Sequence, residues 1–172
     1  MVYCTTQCYA QMGYTVNPSE YQVKAKFLYN FARFVQWPSD RFADNKTPIT
    51  IAIIGNDPFG IDIDKTVEGK FVDGRTTKIL HSRNMDTLDC CHILFINMDE
   101  EKQTAEILNH VKNQSVLTVG EKKGFLQLGG IINFIIRDNK VRFEINEKAA
   151  EQSGIWISAQ LLKIASSYKT QS

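Results

Sequence analysis

The stretch YQVKAKFLYNFARFVQWP, residues 21–38, decides how the rest of the chain is read. At about 100° per residue, Gln22, Lys26, Asn30, Arg33 and Gln36 fall within one narrow polar arc. Nearly everything else round the wheel is apolar: Val23, Phe27, Leu28, Phe31, Ala32, Phe34 and Val35. Lys24 is the one charge on that side. A helix with so wide an apolar face is covered over most of its circumference, so this segment predicts a helix laid across a core. Pro38 ends it, because proline disfavours helical backbone at the residue before it.

The next strong signal is ITIAIIG, residues 49–55, β-branched and almost wholly apolar. It reads as a strand buried on both faces. Asn56-Asp57-Pro58 breaks it, with Asp57 as N-cap and Pro58 at the first position of a short helix through Ile63 and Val67 that stops at Gly69. A turn at 72–74 leads to a strand over 76–80, and 82–89 is a polar connector. Residues 91–96 form the second strongly buried strand. Asp99 caps a helix over 100–113 whose inner stripe is Ala105, Leu108 and Val111 with Ile107 alongside, and 115–119 is a short strand. Residues 131–136 and 140–145 join at Asp138-Asn139 as a tight hairpin, the second strand alternating Val141, Phe143, Ile145 against Arg142, Glu144. Asn146 caps a short helix that ends at Gly154, and Ser158 caps a last one carrying Leu161, Leu162, Ile164 and Ala165. Buried strands interleaved with helices predict a single-domain α/β sandwich over 20–168. Its sheet is mostly parallel, with an antiparallel hairpin at one edge and helices on both faces.

The 172 residues suit one domain with a proper core, and 43% hydrophobic with 23% charged residues is an ordinary globular composition. Twenty basic residues against nineteen acidic leave a net charge of +1, which argues against a nucleic-acid binder. No apolar run approaches the roughly 20 residues of a membrane span, so no direct membrane insertion is expected. Residues 1–10, MVYCTTQCYA, carry no charge and read as the remnant of a secretory signal cleaved after Ala10; residues 11–19 are then a disordered lead-in. Of the four cysteines, only Cys90 and Cys91 survive such cleavage.

The sequence holds no recognisable catalytic constellation. Gly55-Asn56-Asp57-Pro58-Phe59-Gly60 lacks the Lys-Ser/Thr of a P-loop and the three glycines of a dinucleotide fingerprint, and Asp57 puts negative charge where a phosphate would sit. In Cys90-Cys91-His92 neighbouring strand residues face opposite ways, so one metal is not held by all three. Cys91 reads as a buried small hydrophobe, with thiol redox sensing through Cys90 and Cys91 as the alternative. His81, His92 and His110 lack ligand spacing, and Glu144 lies on the exposed face of the hairpin. No catalytic residue, metal or cofactor is expected, and the chain reads as a binding protein rather than an enzyme.

Three pieces in order, residues 21–38, ITIAIIGNDPFG (49–60), and VRFEIN (141–146) followed by GIWISAQLLKIA (154–165), with CCHILFI and VLTVGE between them, resemble the YfiR family. The resemblance covers nearly everything from Tyr21 to Ala165. It implies a periplasmic α/β domain that binds the periplasmic sensor domain of an inner-membrane signalling protein, as YfiR restrains the diguanylate cyclase YfiN, so lowering cyclic di-GMP and biofilm formation. A homodimer is expected. Regulatory members carry a cysteine in the first strand and a pair around the hairpin; here only Cys91 matches, which speaks against a disulfide-gated mechanism. Arg33 and Gln36 on the polar arc, Trp37 beside it and Ser158 at the entry to the last helix are the candidate partner- or ligand-binding residues. The rival reading is a small-ligand or nucleotide-binding module using the strand exits at 55–57 and 118–120.

Overall fold

The computed structural model describes residues 18–166, with side chains from Glu20 onward. The expected signal remnant at 1–10, with Cys4 and Cys8, most of the expected lead-in and the last residues of the expected domain lie outside the described residues. In chain order the elements are α1 (Pro18–Phe34), β1 (Val35–Gln36), β2 (Ile49–Gly55), α2 (Ile61–Val67), β3 (Phe71–Val72), β4 (Arg75–Ser82), β5 (Ile93–Asn97), α3 (Glu101–Val111), β6 (Leu117–Gly120), β7 (Ile132–Arg137), β8 (Lys140–Ile145), α4 (Glu147–Gln152), β9 (Trp156–Ile157) and α5 (Ala159–Ile164).

Seven strands form one sheet in the order β3-β4-β2-β5-β6-β7-β8. The five central strands are parallel. Antiparallel strands close both edges, β3 on β4 and β8 on β7, where the sequence had suggested a hairpin at one. The expected β7–β8 turn is there: Asp138 and Asn139 take φ of 53° and 56°, the left-handed pair that a two-residue hairpin needs.

The period of two along the buried strands divides the core into two layers. Ile49, Ile51 and Ile53 of β2, with Ile93 and Phe95 of β5, face the layer that holds α1. Ala52, Ile54, Leu94 and Ile96 face the other, under α3. Phe31 of α1 packs on Phe134 at 5.8 Å and edge-on to Phe143 at 5.0 Å, so α1 is pinned across the β7–β8 hairpin.

Several boundaries differ from the sequence reading by a residue or two, β5 beginning at Ile93 rather than at 91, and three differences have a visible cause. α1 ends at Phe34, because Val35 and Gln36 go extended and pair antiparallel with Ile157 and Trp156; the N–H of Ser158 then takes the Phe34 carbonyl at 2.9 Å. Asp57 caps a turn rather than a helix, accepting from Phe59 and Gly60 N–H, and α2 starts only after Gly60, at φ 52°. Asp99 does not cap α3; it accepts instead from the Asn56 amide at 3.0 Å, and the buried stripe of α3 is Thr104, Ile107, Leu108 and Val111. The caps expected at Asn146 and Ser158 are formed, each side-chain oxygen accepting from the N–H three residues on.

Candidate functional site

Lys24 is the charge on the apolar side of α1, and it is 4% exposed. Its ammonium lies 2.5 Å from Glu20 Oε1, one turn earlier, and 2.7 Å from Glu121 Oε2, where the chain leaves β6. The Tyr21 hydroxyl donates to the other Glu121 oxygen at 3.4 Å, and its ring lies 4.5 Å from the ammonium. Burial works against the Lys24 charge, but the hydrogen bonds to Glu121 and Glu20 outweigh it and hold its pKa above the ordinary 10.5. Burial, and then the Glu121 charge, raise the Tyr21 phenol above 10.0.

This network forms one wall of a cleft of about 550 Å³ between the first turns of α1, the 121–127 loop and the β7–β8 strands. Asn133 of β7 lines it at 6% exposed, and its Oδ1 has no hydrogen-bond partner. Glu144 lies directly opposite Asn133 in the hairpin register, so the two side chains share a face. The cleft is lined by the carboxylates of Glu20, Glu121 and Glu144 and by Lys24, Lys122 and Lys123. No described group of three His, Cys, Asp or Glu side chains is placed to hold a metal.

Of the two strand exits that usually hold ligands in open parallel sheets, the one after β6 is filled by the protein itself, whereas residues 55–57 are exposed. A Cβ at Gly55 would stand 2.3 Å from the Asn97 carbonyl oxygen, and the Asn97 amide donates to the Asn56 carbonyl at 2.9 Å. At the β6 exit the Phe125 ring occupies the space beside Gly120 and Gly130, where a Cβ would come within 2.5 Å and 2.2 Å of it. Glycine is required at both for that close approach.

The residues named from the sequence divide by location. Arg33 and Gln36 are exposed, and no described hydrogen bond or ion pair holds Arg33. Gln36 lies opposite Trp156, itself 66% exposed. Trp37 turns inward, its ring edge-on to His92 at 5.8 Å, and the Ser158 hydroxyl is used as the α5 cap. The fold brings Gln36, Trp37 and Ser158 to one corner, with Arg33 one turn away along α1. Cys90 is exposed and Cys91 fully buried; burial, with the Cys90 charge second, pushes the Cys91 thiol up to about 12. His92 faces the opposite layer, stacked on Phe42 at 4.8 Å, its Nδ1 accepting from the Thr50 N–H.

Sequence reasoning passed over Lys24, Glu121 and Asn133. Two of them left a signal: Lys24 alone interrupts the apolar side of α1, and Asn133 alone interrupts IINFII. Glu121 left none, since it sits in a charged loop.

The YfiR/HmsC-like family model matches residues 21–166, nearly the whole of the described chain. No curated protein matches. The match begins at the Tyr21 of the Lys24 network and runs through the hairpin to the residue that bridges Glu144 from beyond α5. The chain belongs to the YfiR/HmsC-like family.

Proposed function

We propose that this protein is a non-enzymatic periplasmic regulator. It binds the periplasmic domain of an inner-membrane signalling protein and, as a homodimer, restrains a diguanylate cyclase so that cyclic di-GMP falls. The family match over residues 21–166 carries this reading. Two features support it. The β6 exit, one of the two open to a nucleotide reading, is occupied by Phe125, and no described helix is long and apolar enough to cross a membrane. The exposed Arg33 and Gln36, with Trp156 across the β1–β9 pair, form the contact surface we assign to the partner.

The test is a pull-down at micromolar concentration with the folded periplasmic domain of the cyclase or sensor kinase encoded beside this gene. Retention that Arg33→Glu weakens supports the reading. No retention, with both proteins folded, removes it.

A further inference from the structure

β6 is shorter than the strand beside it. Its last rung pairs Gly120 with Asn133, after which the chain turns off at Glu121 while β7 runs on to Arg137. The hairpin register fixes which backbone groups that leaves. Asn146 N–H donates to the Ile131 carbonyl and Arg137 pairs with Lys140 beside the turn, so Asn133, Ile135 and Arg137 direct their backbone groups to β8. The Phe134 carbonyl and the Ile136 N–H and carbonyl point the other way, into the space β6 has vacated. No turn, loop or side-chain hydrogen bond among the described residues ends on them.

That space is the 550 Å³ cleft. At its inner end sits the unpartnered Asn133 Oδ1, beside Glu144, which joins no described ion pair. At its outer end Ile136 is 52% exposed, and the cleft continues between Val23 and the hairpin as a groove of about 600 Å³. An acceptor, a donor and an acceptor along a strand edge are the complement of another strand. A small molecule meets one or two such groups, and a helix has no free backbone to offer them.

We propose that this free length of β7 docks an extended peptide segment of another protein. The segment adds as a strand beside residues 134–136 and presents a basic or amide side chain to Asn133 and Glu144. Lys24 and Lys122 are already held by acceptors of the protein itself, so among the described charges of the cleft Glu144 and Lys123 are left for a partner, and a cationic side chain answers Glu144. Which protein carries the segment rests on the regulator reading; the edge itself does not.

Panning phage-displayed linear peptides on the full chain, then titrating synthetic copies of the enriched sequences, tests this. Bound peptide is expected to protect the Ile136 amide from hydrogen exchange. Ile136→Pro removes that N–H without touching a hairpin bond and is expected to weaken binding by about tenfold or more at an unchanged melting temperature. N-methylation of the peptide should abolish binding at alternate amides only. If Ile136→Pro does not fold, Asn133→Leu supplies the second variant. Peptides that leave the Ile136 amide unprotected, or that bind both variants undiminished, overturn the proposal. So does a simple amine filling the cleft alone, or self-association of the chain through this edge. Peptide binding with a failed partner pull-down keeps the edge and dismisses the regulator reading.

Discussion

The ammonium of Lys24 sits 2.7 Å from Glu121, ninety-seven residues away in the chain, and ties the first turns of α1 to the exit of β6. Breaking a buried pair leaves a charge without its partner, which costs roughly 3–5 kcal/mol. Because Glu20 still holds Lys24, Glu121→Gln is expected near the lower end of that range in urea unfolding. Lys24→Met in the Glu121→Gln background should recover most of it. The folded pKa of Lys24 lies above its unfolded value, so this stabilisation is complete below 10.5 and is lost as pH rises through the folded value. An unfolding midpoint unchanged by Glu121→Gln would remove the network from the stability account.

His92 acts at the acid end. Burial first, and the Arg41 charge second, lower its pKa from 6.5 to about 4. Above pH 6.5 the ring is neutral folded and unfolded, and contributes no pH dependence. Between 6.5 and 4 the unfolded chain takes a proton that the fold refuses, so stability falls as pH falls, by about 3 kcal/mol in full. Comparing wild type with His92→Gln across pH 7 to 4 isolates this from the carboxylates. Parallel curves would contradict it.

Phe125 fills the β6 exit between two glycines. Phe125→Ala is expected to cost about 3–5 kcal/mol through the cavity it leaves. Gly120→Ala overfills the same space and should cost about 1–3 kcal/mol. Thermal melts measure both. A large ligand-induced shift in Phe125→Ala alone would show that this ring is what closes the exit.

With Cys4 and Cys8 replaced by serine, the native protein should show one fast thiol toward a disulfide reagent and two after unfolding. The exposed Cys90 is the fast one; Cys91, with its thiol pushed up to about 12, stays protonated and covered. Any oxidised dimer on non-reducing gels should therefore vanish in Cys90→Ser and persist in Cys91→Ser. The reverse pattern would mean that the segment leading into β5 opens.

Arg33→Glu changes an exposed residue that no described group holds, so its effect on stability is expected to stay within about 0.5 kcal/mol. Its effect on partner retention should be large. Trp37→Ala, by contrast, should lose stability, since the ring packs on His92. Equal loss of retention with loss of fold in both variants would leave Arg33 without a binding role.

The sequence by itself determined the layers. The unbroken apolar runs at 49–54 and 93–96 mark strands covered on both faces, and the wide apolar side of α1 has to meet one of them. Asp138-Asn139 determined the hairpin, because the turn's left-handed backbone is a local demand on two adjacent residues. Asn146 and Ser158 as caps were legible for the same reason. What only the tertiary structure decided are the long-range pairings. The end of α1 depends on β9, which captures Val35 and Gln36 from a distance that no local propensity records. The partner of Lys24 depends on where β6 ends. The open edge of β7 depends on β6 stopping at Gly120 while its neighbour continues, a mismatch between two strands that neither sequence segment carries alone.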